Sequence, residues 1–281
     1  MGGDPHMTLS VIMPCYNRGH LLHWALRSLL NQSDWADEII VIDDGSDDAT
    51  EAITRRAMGE HPNGNISYHF NNRPGWNICV HAMNCGIRLA TGDILMLTEP
   101  EVLHPTDDIA VMRRYFEDET NQDRILIGSP LYCVYEEALR DMPRQNLEEP
   151  RRILEMGGLI HEWQNGYCSP PDTITYFPRG GTHHIAGVMR RHMLAIGGYD
   201  EEFLAGGAGG YDDIDMLTRL RNYGVKEERT EDIIAIHLDH FPPPPEVQKP
   251  ELVRKNYERM VNRDPEDWKV NRGKEWGVLR R

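Results

Sequence analysis

Cysteine is scarce and unpaired in this chain. Its five residues, Cys15, Cys79, Cys85, Cys133 and Cys168, are scattered without CxxC spacing. That argues against a disulfide framework or a cysteine-held zinc site and fits reduced thiols in a cytoplasmic compartment. Positive charge is also short: 30 Lys and Arg stand against 45 Asp and Glu, for a formal net charge of −15. A sequence-independent grip on nucleic acid needs a basic footprint, so that class of function is disfavoured, although a local basic groove is not excluded. No apolar run approaches the ~20 residues needed to cross a bilayer. No secretory signal opens the sequence, so the expectation is a cytoplasmic protein with no transmembrane segment. Internal repeats and low-complexity linkers are lacking as well. The opening MGGDPHM reads as a cloning remnant over residues 1–6, with the natural start at Met7.

What the chain does contain is a regular alternation of short β-branched runs and helical patterns. LSVIMPCYN is a strand pattern that stops at Pro14, which cannot continue a ladder. HLLHWALRSLLNQ follows with Leu21, Leu22, Ala25, Leu26, Leu29 and Leu30 at helical spacing. EIIVIDDGSDDAT is a second buried strand that breaks into acidic turn residues, and TEAITRRAM is a helix with Thr50 as its expected cap. ISYHF, WNICVHAMNCGIRLATG and DILMLT then predict strand, helix and strand. Such alternation makes right-handed βαβ units, and so an α/β fold with a Rossmann-like, mainly parallel sheet and helices on both faces.

The second half is less regular. Residues 130–182 are rich in Pro, Gly and Glu, with EEPRRILEMGGLIHEW as the helical piece. GVMRRHMLAIGGYDEEF predicts strand, helix and loop, and GAGGYDDIDMLTRLRNYG predicts a glycine-rich loop and an amphipathic helix ended by Gly224. DIIAIHLDH is a further strand with a polar end, followed by the stiff FPPPP and a final helical extension. Ligands in open α/β sheets sit at the carboxyl ends of the strands. The polar breaks PCYNRG, DDGSDD, NNRPGW and TEPE all fall there. Each alone is ordinary turn chemistry, but four on one sheet edge predict a site.

The segments SVIMPCYNRGHLLHWALRSLLNQ…EIIVIDDGSDDAT and GGYDEEF…GGYDDIDMLTRLRNYG resemble the family-2 glycosyltransferases, nucleotide-sugar enzymes of the GT-A fold. The likeness spans roughly residues 8–240. It implies a GT-A domain over 7–241, with a nucleotide-sugar half at 7–105, an elaborated acceptor half at 106–241 and a helical extension at 242–281. It implies Pro14, Tyr16, Asn17, Asp43, Asp44 and Arg73 as nucleotide-binding residues. Their chemistry suits a UDP-sugar, because a carboxylate accepts from a uracil N–H, a tyrosine face stacks on the ring and a cation faces the diphosphate.

Family members place Asp-x-Asp at the tip of the fourth strand to hold a divalent metal. Here an ungapped register puts Thr98 and Pro100 at the aspartate positions, with Glu99 and Glu101 flanking the proline. Glutamate is a hard oxygen ligand suited to Mn²⁺ or Mg²⁺, and Pro100 holds the pair rigid with one carboxylate expected to face solvent. Glu101 is expected before Glu99 as the ligand. His237 stands where several such enzymes have a histidine ligand, and His240 is a weaker candidate. For inverting transfer to a hydroxyl acceptor, the general base is expected from Asp213 first and Asp212 second. His184 and Trp163 are acceptor-side candidates. The acceptor class stays open among a glycan, a lipid-linked glycan, a small molecule and a modified nucleic acid. The alternatives also stay open: a retaining GT-A enzyme, or a nucleotide-sugar-binding module whose metal site has decayed.

Overall fold

Strand β1 (Leu9–Cys15) is apolar but for Ser10 because both of its faces are covered, and Ser10 is buried with its hydroxyl donating to Glu38 Oε1 at 2.6 Å. Leu9, Val11 and Met13 enter one buried cluster and Ile12 enters the other. A strand between two helical layers reads as a continuous apolar run, with no polar alternation. The computed structural model describes residues 7–73, 75–156, 160–162, 174–177, 184–203, 210–240 and 249–281. Among these, α1 (Gly19–Leu30), β2 (Glu38–Asp43), α2 (Thr50–Glu60), β3 (Ile66–Phe70), α3 (Val80–Leu89) and β4 (Ile94–Leu97) follow one another as expected. Their strands pair in parallel in the order β3–β2–β1–β4.

The chain continues with β5 (Val102–Leu103), α4 (Asp108–Glu117), β6 (Arg124–Gly128), β7 (Leu131–Val134), α5 (Glu136–Arg140), α6 (Arg144–Glu148) and α7 (Arg151–Leu154). After these come β8 (Ile160–Glu162), β9 (Ile174–Phe177), β10 (Ala186–Met189), α8 (Arg190–Ile196), α9 (Asp212–Tyr223), β11 (Lys226–Thr230), β12 (Ala235–Leu238) and α10 (Pro250–Val261). β10 inserts antiparallel between β4 and β6, and β11 runs parallel to β6, which completes the seven-stranded order β11–β6–β10–β4–β1–β2–β3. Residues of α1, α2 and α4 pack on one face of this sheet and residues of α3, α8 and α9 on the other. The mostly parallel α/β architecture is therefore the one predicted. A second sheet, β5–β12–β7–β9–β8, stands over a smaller apolar cluster.

Local details differ from the sequence reading. Thr50 does not cap α2 but opens it, and Asp48 Oδ1 accepts from the Thr50 backbone N–H at 2.9 Å. The third helix starts only at Val80, since the preceding residues form an extended loop. Of the helical piece expected over 148–163, the described residues form the single-turn helix α7, with α6 ending at Glu148 before it and β8 beyond it. Apolar spacing over so few residues does not separate a turn of helix from a strand. The FPPPP segment lies outside the described residues.

Buried ion pairs tie the end of the chain to the sheet's back layer. Asp215 on α9 accepts from Arg219 Nε at 2.6 Å and from Arg263 Nε at 2.9 Å, and Asp200 pairs with Arg259 Nε at 2.7 Å and Arg263 Nη2 at 2.5 Å. Arg219 is wholly buried and its Nη1 also donates to the Gly198 carbonyl at 2.9 Å. A buried guanidinium is tolerated only while its partners remain. Asp215→Ala is expected to cost about 3–5 kcal/mol in urea unfolding, because it strands the Arg219 charge. A loss within experimental error of zero means that solvent reaches this network.

Candidate active site

The carboxyl ends of β1 and β2 lie side by side, with Cys15 in register with Asp43. The loops that leave them interlock. Asn17, at a left-handed φ of 51°, donates from its amide Nδ2 to Asp47 Oδ1 at 2.8 Å and accepts from the Asp47 N–H at 2.9 Å. Its backbone N–H donates to Ser46 Oγ at 2.9 Å, so this side chain braces two loops. Asp43 is buried with both oxygens engaged, accepting from the Ser46 N–H at 2.8 Å and from the Tyr68 hydroxyl at 2.6 Å. It holds the turn in which Asp44 is presented.

Asp44 accepts from Asn71 Nδ2 at 2.5 Å and from Arg73 Nη1 at 2.8 Å. Burial pushes its carboxyl above the usual range despite the lowering field of Arg73. The loop carrying Arg73 rests on Gly45, whose φ is +92° and whose Cβ, if it had one, would lie 2.4 Å from the Arg73 carbonyl oxygen. Only glycine fits both that angle and that contact. Arg73 was expected to face a diphosphate, but its guanidinium is turned onto Asp44. The cation that reaches the metal-candidate cluster is Arg18, whose Nη2 lies 2.9 Å from His240 Nδ1.

At the tip of β4, Thr98 is buried, and its hydroxyl lies 3.3 Å from His104 Nε2, whose Nδ1 is 2.8 Å from Asp108 Oδ2. Both side chains of the His104–Asp108 pair are fully buried. The Val102 N–H donates to the Glu99 carbonyl at 3.2 Å, which makes Glu99–Val102 a turn with Pro100 at its second position, where a fixed φ near −65° belongs. The turn leaves the Glu99 side chain 35% exposed and the Glu101 side chain 13% exposed. Both glutamates line the cleft, together with Pro14, Tyr16, Arg18 and Asp44, and its enclosed part measures about 130 Å³.

Two triads, Glu99–His184–His237 and Glu101–His237–His240, each have ligand atoms within 4.8 Å of one another. The His184 and His240 rings lie 5.3 Å and 5.4 Å from that of His237. Glu99 Oε2 lies 2.9 Å from His184 Nδ1, and Glu101 Oε1 lies 3.2 Å from His240 Nε2. The other oxygen, Glu101 Oε2, is buried and has no hydrogen-bond partner among the described residues. An orphaned, buried carboxylate oxygen beside imidazoles is what a cation site needs. Burial lowers His237; burial acts the same way on His184, but Glu99, with Glu101 and Asp213 behind it, holds that imidazole above its usual value. His184, assigned to the acceptor side by sequence, thus sits among the metal-candidate residues. Trp163 lies outside the described residues.

Glu99 also joins Thr98, Cys79, Tyr199, Asp212 and Asp213 in an adjoining small pocket. Asp212 opens α9, and burial, with neighbouring Asp213 next, pushes its carboxyl up to about 7. Of the predicted residues, the structure brings Pro14, Tyr16, Asp44, Glu99, Glu101, His184, His237, Asp212 and Asp213 to one edge of the sheet. Arg18 was not singled out from sequence, although it stands in the PCYNRG break; nothing in a lone loop arginine marks it.

This mostly parallel α/β fold is the GT-A fold. Residues 10–194 match the model of glycosyl transferase family 2, and the chain belongs to that family of enzymes. It is 24% identical over 264 residues to the uncharacterized glycosyltransferase YfnE of Bacillus subtilis (strain 168), covering 83% of this chain and 65% of YfnE, just under two thirds of that relative's length. It is 34% identical over 105 residues to the validoxylamine A glucosyltransferase of Streptomyces hygroscopicus subsp. jinggangensis, covering 36% of this chain and 24% of that enzyme. Among solved structures, the mannosyltransferase PcManGT of Pyrobaculum calidifontis, in complex with GDP-Man and Mn²⁺, is similar at a TM-score of 0.54 and 20% identity, covering 95% of this chain and 74% of that one. GalNAc-T7 with UDP, GalNAc and Mn²⁺ is similar at a TM-score of 0.61 and 17% identity, covering 91% and 48%.

The raised Asp212 makes a stability prediction. A carboxyl whose folded pKa, about 7, lies above its unfolded value near 3.8 opposes folding increasingly as pH rises between the two. Asp212→Asn removes that penalty. Its melting temperature is expected to exceed wild type by about 2–6 °C at pH 8, with the gap closing towards pH 4. Parallel melting curves at all pH values would mean that Asp212 titrates as an ordinary surface acid.

Proposed function

We propose that this protein transfers a sugar from a nucleoside-diphosphate sugar, a UDP-sugar, to a hydroxyl acceptor with inversion and with the help of a divalent metal. The observation that carries the proposal is the meeting of Glu99, Glu101, His184, His237 and His240 between the Asp44 pocket and the Asp212–Asp213 pair. Asp44 is the nucleobase acceptor: each carboxylate oxygen has two lone pairs, so the bonds from Asn71 and Arg73 leave capacity for a uracil N–H. Tyr16 lines the same cleft and offers a ring face to the base. Pro14, Asn17 and Asp43 shape the loops around it.

Glu101 and His237 would hold the ion first, with Glu99, His184 and His240 completing or orienting the set. A bound Mn²⁺ or Mg²⁺ supplies the positive charge that stabilises a departing diphosphate. Glu101 Oε2, buried and without a hydrogen-bond partner among the described residues, supports this reading over a decayed metal site. On the acceptor side, the Asp212–Asp213 pair supplies the base. A carboxyl held at about 7 has a proton affinity matched to taking a proton from an attacking hydroxyl near neutral pH. Asp213, whose field reaches His184, is the first candidate for the transfer itself.

The test combines calorimetry with a UDP-release assay over a panel of UDP-sugars. Wild type is expected to bind Mn²⁺ and to lose activity in EDTA. Glu101→Gln and His237→Ala are each expected to raise the Mn²⁺ requirement by about 10- to 100-fold. Turnover by an enzyme indifferent to EDTA removes the metal reading. Asp213→Asn keeps shape but not basicity, so turnover should fall at least about 100-fold with donor affinity preserved. Should only Asp212→Asn lose turnover, the two roles are exchanged. Full activity in both variants refutes the base assignment.

A further inference from the structure

Asn71 stands between Asp44 and a segment far along the chain. Its amide Nδ2 donates to Asp44 Oδ1 at 2.5 Å and lies 3.1 Å from His81 Nδ1. Its amide Oδ1 accepts from the backbone N–H of Arg280 at 2.8 Å. The next residue closes the contact in the other direction, because the Asn72 N–H donates to the Arg280 carbonyl at 2.9 Å. Segment 276–281 reaches this point along α3. The Arg88 guanidinium sits 5.4 Å over the Trp276 ring, the Gly277 N–H donates to Glu201 Oε1 at 2.9 Å, and Leu279 packs on the core beneath.

A side-chain amide has one accepting end and one donating end, and turning it over exchanges them. The Arg280 N–H bonds the oxygen while Asp44, an acceptor, takes the NH₂, so the two contacts hold the amide in one orientation from both ends. Without that donor the amide oxygen loses its partner, and Asn71 is held only by its NH₂ contacts to Asp44 and His81, a less rigid brace for the carboxylate. The Arg280 side chain is exposed, so the contact belongs to the backbone.

We infer that the backbone N–H of Arg280 is a positioning group for the nucleobase: by fixing the orientation of Asn71 it holds Asp44 where the base must meet it. This rests on the reading of Asp44 as the nucleobase acceptor. The residue does not touch the nucleotide. Its effect should appear in recognition of the base and be absent from recognition of the diphosphate.

The experiment uses full-length variants, with Mn²⁺ present, and measures affinity for UDP and for inorganic pyrophosphate by calorimetry. Arg280→Pro removes the N–H and Arg280→Ala keeps it. Arg280→Pro is expected to weaken UDP about tenfold, the loss of one hydrogen bond to a charged network, with pyrophosphate affinity unchanged; Arg280→Ala should match wild type for both. In an Asn71→Ala background, Arg280→Pro should add nothing, since the two act through one contact. If Arg280→Pro does not fold, Asn71→Ala alone must show the UDP-selective loss. The inference is overturned if Arg280→Pro binds UDP like wild type, if Arg280→Ala loses as much, if both ligands weaken together, or if the two substitutions are additive. A wild-type protein that binds pyrophosphate as tightly as UDP would instead refute the nucleobase pocket itself, and this inference with it.

Discussion

The antiparallel pairing of β5 with β12 is the contact on which the rest of the edge depends. Ile236 lies opposite Leu103 and His237 opposite Val102, and the Leu238 N–H donates to the Glu101 carbonyl at 2.9 Å. Two strand ends distant in sequence are thereby locked in register. A one-residue slip would turn His237 to the other face of the strand and separate it from both glutamates. The flanking apolar residues Leu103, Ile236 and Leu238 share one buried cluster, which opposes the slip.

That register concentrates negative charge. Glu99, Glu101, Asp212 and Asp213 meet within two adjoining pockets, at the edge of a chain already strongly acidic. Like charges at such spacing oppose folding unless protons or cations are taken up. Part of the relief is built in, through His184 on Glu99 and His240 on Glu101, with Arg18 behind His240. Asp212, raised first by its burial and next by the charge of Asp213, adds a carboxyl that holds its proton. An edge organised in this way is suited to ligands that bring positive charge with them, and binding then adds to stability.

Much of the fold was legible because periodicity reports directly on burial. β1 to β4 and the helices between them came from apolar runs bounded by the acidic DDGSDD and by glycine, which act through the local backbone. Pro14, expected to stop β1, instead lies inside it opposite Ile42, where β4 has already ended and only β2 pairs with the strand. The short elements between Arg144 and Glu162 were not legible, since a single turn of helix or a three-residue strand has too few residues to show a period. For the site, strand-end position marked the polar breaks, and the resemblance to family-2 glycosyltransferases selected Asp44, Glu99, Glu101, His237 and the Asp212–Asp213 pair within or beyond them. Partners were beyond reach: Arg73 spends its charge on Asp44, and Asn17 on a neighbouring loop.

What the sequence determined by itself was the layer order of a parallel α/β sheet and the edge at which polar residues collect. Both follow from which side chains can be buried and which cannot. What only the tertiary structure decided was the company each polar residue keeps. Which groups a histidine meets, as His184 meets Glu99 and His237, depends on the return path of a distant strand. Which way a buried amide faces, as with Asn71, follows from the Asp44 carboxylate on its nitrogen and the distant Arg280 N–H on its oxygen. Hydrogen-bond direction and ligand geometry act over about 3 Å between groups with no sequence proximity, and no local pattern encodes that distance.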